Sequence, residues 1–329
     1  MLKKILRAVG FMTGLAIILA VTSIVLKPKS DVYNAVGVDK KTKDFNKEAE
    51  QSLDLVFLGD SESYSAFNPL QMYSEQGYTS YVCGTSLQRL CDTYVLLQES
   101  FKTQSPKVVV LETNCFFRFS GLAEDDSDKI MNTFSRVVPV LKYHDRWKTF
   151  VPLKIFRHID KNEGLLKGFR YRTGTEPYNG GEWMKKTDEV AGTGANAEHY
   201  LKKIKELVEA NGGTLLLVSV PSPDNWTYAK HNAIEKISEE YDLEFLDMNL
   251  MQDELNIDWK TETKDGGNHL NFLGAKKVSS YLAKYLSEKY NLPDHREDPA
   301  YDNWEEDIKE SGMDTVSYTH LTLPTNSRV

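Results

Sequence analysis

The chain has 329 residues, enough for one large α/β domain with appendages, and its 40% hydrophobic and 11% aromatic content is that of a globular protein. The net charge of −8 is concentrated: nine acids between Asp294 and Asp314 face only Arg296 and Lys309, so that stretch carries −7. No basic stripe remains to hold nucleic acid, and Cys83, Cys91 and Cys115 are too few and too scattered for a disulfide framework or a metal site.

Residues 1–30 place Lys3, Lys4 and Arg7 ahead of 19 uncharged residues, Ala8 to Leu26, closed by Lys27-Pro28-Lys29. Such a run is about long enough to cross a bilayer core as a helix, and the positive start directs the rest of the chain out of the cytoplasm. It reads as an uncleaved single-pass anchor. A cleaved signal peptide is the alternative, although no A-x-A site lies beyond the apolar run. Residues 31–51 are polar and read as a stalk.

From residue 52 to 292 short apolar runs alternate with helical stripes. Leu55–Leu58 reads as a buried strand closed by Gly59, and Tyr78–Val82 as a second strand ending near Gly84. Leu87, Leu90, Tyr94, Leu97 and Phe101 stripe a helix, and Lys107–Glu112 forms a third strand ending at Thr113-Asn114. Residues 116–195 are irregular and read as an insertion or lid. Tyr200, Leu201, Ile204, Leu207 and Val208 stripe the next helix, and Thr214–Val220 is a strand. Then come a helix carrying Ile234 and Ile237, a short strand at Glu244–Leu246, and a last helix striped by Val278, Leu282, Tyr285 and Leu286. This alternation predicts an α/β fold with a parallel, helix-covered sheet. Residues 293–316 read as an acidic tail, and residues 317–329 as a non-native read-through that leaves the true C-terminus unknown.

In Gly59-Asp60-Ser61 the glycine permits a sharp turn at the strand's carboxyl end, where open α/β sheets place their ligands. Ser61 there is either an exposed nucleophile or an ordinary helix N-cap. A serine nucleophile needs a base, and seven histidines compete. His199 falls on a solvated helix face, His144 and His158 in the irregular segment, and His295 and His320 toward the acidic end. His269 lies in Lys264-Asp265-Gly266-Gly267-Asn268-His269-Leu270-Asn271, a turn-rich loop opening into the last helix, with an acid nearby. Acyl transfer also needs oxyanion donors, and the strand-end Gly84 and Asn114 can supply a backbone N–H and a side-chain amide.

Strand-end Ser61, Gly84 and Asn114, in that order and with His269 after them, resemble the blocks that name the SGNH (GDSL-type) hydrolase and acyltransferase superfamily. The resemblance covers roughly residues 52–290. It implies a three-layer α/β/α sandwich around a parallel sheet of about five strands. It also implies ester hydrolysis or acyl transfer through an acyl-serine, without metal or organic cofactor. Two positions depart from the pattern. Glu112 stands where a glycine usually precedes the asparagine by two, and Gly266 where an aspartate usually precedes the histidine by three. The third member of the triad is therefore Asp265, with Asp258 as substitute, or the site is a Ser61–His269 dyad.

An anchored, outward-facing chain with Gly-Asp-Ser-Glu and His-Leu-Asn further resembles cell-envelope proteins of Gram-positive bacteria. These are the extracytoplasmic partner of teichoic-acid D-alanylation and the acetyl-transferring partners of alginate-type systems. That likeness implies an envelope polysaccharide or its acyl decoration as substrate and a membrane-bound O-acyltransferase as partner. Trp226, in the loop after the Thr214–Val220 strand, is then expected to stack on a sugar ring and His231 to bind an acceptor. The rival reading is a catalytically inactive envelope protein of the same fold that binds polysaccharide or that partner.

Overall fold

Val56 and Leu58 turn to one face of a sheet and Leu55 and Phe57 to the other, and all four are fully buried. A strand buried on both faces has no polar side to present, so its run is continuously apolar. The structure, a computed structural model, describes residues 2–26, 45–118 and 162–312. His144, His158, His320, residues 317–329, most of the expected stalk and the larger part of the expected insertion lie outside the described residues.

Helix α1 (Leu2–Leu26) is long and apolar enough to cross a membrane by length and composition, a test that signal sequences also pass.

In the other unit, β1 (Leu55–Gly59) leads into α2 (Ser61–Ala66) and α3 (Pro69–Gln76), then β2 (Ser80–Gly84) and α4 (Leu90–Ser100). Next come β3 (Val108–Glu112), a 3-10 turn at Thr113–Phe117, α5 (Ala197–Ala210) and β4 (Thr214–Ser219). Then α6 (Tyr228–Glu240), β5 (Glu244–Asp247), α7 (Phe272–Tyr290) and α8 (Asp302–Ser311) complete the described chain. The five strands form one parallel sheet in the order β2-β1-β3-β4-β5. Apolar residues of α4, α5 and α6 cover one face, and α2, α3 and α7 supply the other. This is the three-layer α/β/α sandwich that the resemblance implies.

In this order β1 leads outward to β2 while β3 leads the opposite way. The switch point therefore lies between their carboxyl ends, and Ser61 and Asn114 emerge on either side of it.

Several boundaries differ from those expected of the sequence. The helix after β2 starts at Leu90, because Leu87 has φ 54° and stands exposed in a turn. The expected stalk ends early: Phe45 is buried edge-on against Tyr81, their ring centroids 5.3 Å apart, so the folded unit already includes residue 45. The acidic segment is not a free tail. Its Trp304 is 1% exposed and stacks on Tyr73, and Lys167 pairs with both Asp307 and Glu48. Buried apolar area on one face of α8 outweighs the repulsion among acids left on the solvent side.

The described part of the expected insertion is an extended strap along the sheet's carboxyl edge. Arg170 donates its N–H to Tyr64, Gly266 to Glu176, Tyr178 to Trp259, Ala191 to Ala229 and Gly194 to Phe116, all between 2.8 and 2.9 Å. Cys83, Cys91 and Cys115 form no disulfide with one another, and Cys83 and Cys115 are buried.

Candidate active site

Asp60 caps α2, and its carboxylate organises the carboxyl ends of β1 and β3. Oδ1 accepts the Glu62 N–H at 2.9 Å, which satisfies one of the helix's first free donors. Oδ2 accepts from Asn114 Nδ2 at 3.0 Å and from Arg118 Nε at 2.8 Å, with Arg118 Nη2 also in contact. Ser61 is thus the first residue of α2, 7% exposed, beside the group that holds Asn114.

Gly84 ends β2 opposite Gly59. A Cβ there would lie 2.1 Å from Ser63 Oγ, which is itself bonded to the Asp60 carbonyl at 2.8 Å. Only a residue without a side chain lets β2 approach the start of α2 this closely.

Glu112 explains its own departure from the family pattern. Its Oε1 accepts the Asn114 N–H at 2.8 Å, so the side chain caps the 3-10 turn that carries the asparagine. Burial, with Asp60 and Glu62 close by, pushes its carboxyl well above the ordinary range. Lys230 approaches the other end of the amide, Nζ to Asn114 Oδ1 at 3.4 Å.

The histidine loop is built by its glycines. Gly266 and Gly267 have φ of 70° and 95°, and this turn folds Asp265 back onto the ring four residues later. Asp265 Oδ2 lies 2.8 Å from His269 Nδ1, and Oδ1 accepts the His269 N–H at 2.7 Å. Burial pushes the Asp265 carboxyl up, but the hydrogen bond and charge of His269 outweigh it and bring it down to about 2. Burial lowers the His269 pKa, and the Asp265 bond with the Glu62 and Asp265 charges more than offsets that, so it is raised. His269 Nε2 is buried without a hydrogen-bond partner among the described residues. Asp258, the substitute considered from sequence, is exposed and bonds Thr261 Oγ1 and the Lys260 N–H, away from the ring.

Two bridging residues, Ser222 and Asn225, join this loop to the nucleophile's helix. Ser222 Oγ lies 3.0 Å from Glu62 Oε1 and 2.7 Å from the Asn268 carbonyl, and Asn225 Nδ2 spans Glu62 Oε1 and Asn268 Oδ1 at 2.6 and 2.7 Å. Ser61 therefore sits between two organising acids: Asp60 holds Asn114, and Glu62 holds the loop of His269.

Trp226 and His231, expected to contact substrate, are used for packing instead. Trp226 is 2% exposed, packs edge-on against Phe117, and donates its indole N–H to Asp247 at 3.0 Å. His231, also buried, places Nδ1 2.9 Å from the same carboxylate. The adjoining residues Ser222 and Asn225 are the ones that reach the site. The sequence places the loop from Pro221 to Trp226 at the rim but singles out Trp226 rather than Ser222 and Asn225, and it assigns no role to Arg118 or Glu62. A glutamate directly after Ser61 and a Pro-Ser-Pro-Asp-Asn loop at a strand end were the available signals.

No protein-family model and no curated protein matches the chain. Solved structures similar to it include a GDSL-like lipase from Bacteroides thetaiotaomicron, 12% identical, with 77% of this chain and 98% of that one covered at a TM-score of 0.40. An acetyl xylan esterase is 14% identical, with 70% of this chain and 98% of that one covered at a TM-score of 0.37. At identities and scores this low, neither likeness bears on activity.

Proposed function

We propose that the chain is a serine esterase or O-acyltransferase working through an acyl-serine at Ser61. The observation that carries this is the double linkage around Ser61: Asp60 to Asn114 on one side, Glu62 to the Asp265–His269 pair on the other. In the reaction Ser61 Oγ attacks the acyl carbonyl while His269 Nε2 takes the hydroxyl proton. Asp265 fixes the ring tautomer and stabilises the imidazolium. The carbonyl oxygen gathers negative charge and accepts from the Ser61 and Gly84 N–H groups and the second hydrogen of the Asn114 amide. His269 then returns its proton to the leaving alcohol, and water or an acceptor hydroxyl releases the acyl group by the reverse path.

The proposal extends to placement and substrate. Helix α1 anchors the protein in the cell membrane as a single pass with the catalytic unit outside, where envelope polysaccharide carries acyl esters. A membrane-bound O-acyltransferase is the partner that would make transfer the outcome. A fluorophosphonate probe tests the chemistry: the full chain should label, and Ser61→Ala should remain folded and not label. A folded wild-type chain that never labels, beside a serine esterase that does, leaves the polysaccharide-binding reading in its place. Co-purification of an O-acyltransferase from solubilised membranes tests the partner.

A further inference from the structure

The strongest group that this chemistry does not use is Glu62. It comes directly after the nucleophile, is 1% exposed, and carries an acid in a place where a helix would normally bury an apolar side chain. Its Oε1 is held by Ser222 at 3.0 Å and Asn225 at 2.6 Å, and those two residues also hold Asn268, the neighbour of His269. Its Oε2 is buried without a hydrogen-bond partner among the described residues, as is His269 Nε2. Both atoms are thus desolvated, and the two groups act on each other through charge, His269 lowering the Glu62 carboxyl and Glu62 raising His269.

We propose that Glu62 is a positioning residue for His269, tying the histidine loop to the nucleophile's helix and setting, through its charge, the pH at which the ring takes a proton. This rests on the reading of His269 as the base. Every charged neighbour has a defined effect. Facing Glu62 are His269, the carboxyls of Asp60 and Glu112, and the cations Arg118 and Lys230. Facing His269 are Glu62, Asp265 and Lys264. Burial, opposed by His269 and reinforced by Asp60, brings the Glu62 carboxyl up to about 7, so it changes charge where the base must work. The two groups then titrate as a pair, and the ionised acid favours the imidazolium.

Histidine-selective 15N labelling of the full chain in detergent, with the His269 signal assigned by its loss in His269→Asn, tests this without requiring turnover. Glu62→Gln retains an oxygen for Ser222 and Asn225 but has no charge, so the His269 midpoint should move to lower pH and its two-step profile should become one step. Ser222→Ala removes one of the donors that favour the Glu62 anion, and should shift the His269 midpoint in the same direction. It also serves where Glu62→Gln does not fold. An unchanged His269 titration in either folded variant overturns the proposal. If the titration shifts as expected while the wild type never labels with fluorophosphonate, the coupling stands and the catalytic reading fails.

Discussion

Asn114 serves two neighbours: its side-chain amide gives one hydrogen to Asp60, and its backbone N–H goes to Glu112. Asn114→Ala should lower turnover by about a hundredfold or more, the usual scale for one oxyanion donor, and ester hydrolysis with Ser61 labelling as control measures it. The Asp265 pair separates triad from turn. Asp265→Ala should reduce turnover heavily while Asp258→Ala leaves it unchanged, because only Asp265 reaches the ring, at 2.8 Å. If Asp265→Ala is silent, the site runs as a Ser61–His269 dyad.

The same pair predicts opposite pH trends for stability and rate. His269 is raised above 6.5 in the folded chain, so its stabilising contribution is complete below that value and is lost as pH rises through the folded pKa. Asp265 is lowered from 3.8 to about 2, so its contribution is present above 3.8 and is lost as pH falls toward 2. The pair therefore stabilises most between 3.8 and 6.5. Turnover needs neutral His269 and should climb above that window. Thermal unfolding and initial rates recorded over the same pH series check both limbs.

Among the elements, α8 makes the sharpest case. An isolated ten-residue acidic helix would be marginal in water, and here it is held by one apolar stripe. Trp304 stacks on Tyr73 with ring centroids 5.1 Å apart, and Lys167 Nζ lies 4.8 Å from its centroid. Lys167 in turn carries Glu48 and Asp307 at 3.1 and 2.7 Å, so the first and last described turns of this unit meet on one cation. Trp304→Ala should destabilise the chain by about 3–5 kcal/mol, the range for losing a large buried aromatic, as read by thermal or urea unfolding. A change within experimental error would mean that α8 is not part of the cooperative unit.

For the whole molecule, α1 and the five-stranded sheet belong to different compact units. The α/β unit carries its own core on both faces of the sheet. Deleting residues 2–26 should move the protein from the membrane to the soluble fraction while leaving its fluorophosphonate labelling rate unchanged. Intact mass of the full-length protein recovered from membranes decides between anchor and signal peptide. Retention of residues 1–30 supports the anchor, and their loss supports cleavage.

The order of strands and helices was legible in the sequence because each element is a local pattern. Continuous apolar runs mark strands buried on both faces, and 3.6-residue stripes mark their covering helices. The sequence also determined that Ser61, Gly84, Asn114 and His269 end up at one edge. Each lies within a few residues of a strand's carboxyl end or a helix start, and a parallel sheet gathers its carboxyl ends on one side. Only the tertiary structure decided which acid reaches His269, since Asp258 and Asp265 both lie in turns and it is the left-handed backbone of Gly266 and Gly267 that folds Asp265 back onto the ring. It likewise decided that Trp226 and His231 are spent on Asp247, and that Phe45 and Trp304 belong to the core. Glu62 meets Ser222 and Asn225 across about 160 residues of chain, and no local periodicity records a contact of that span.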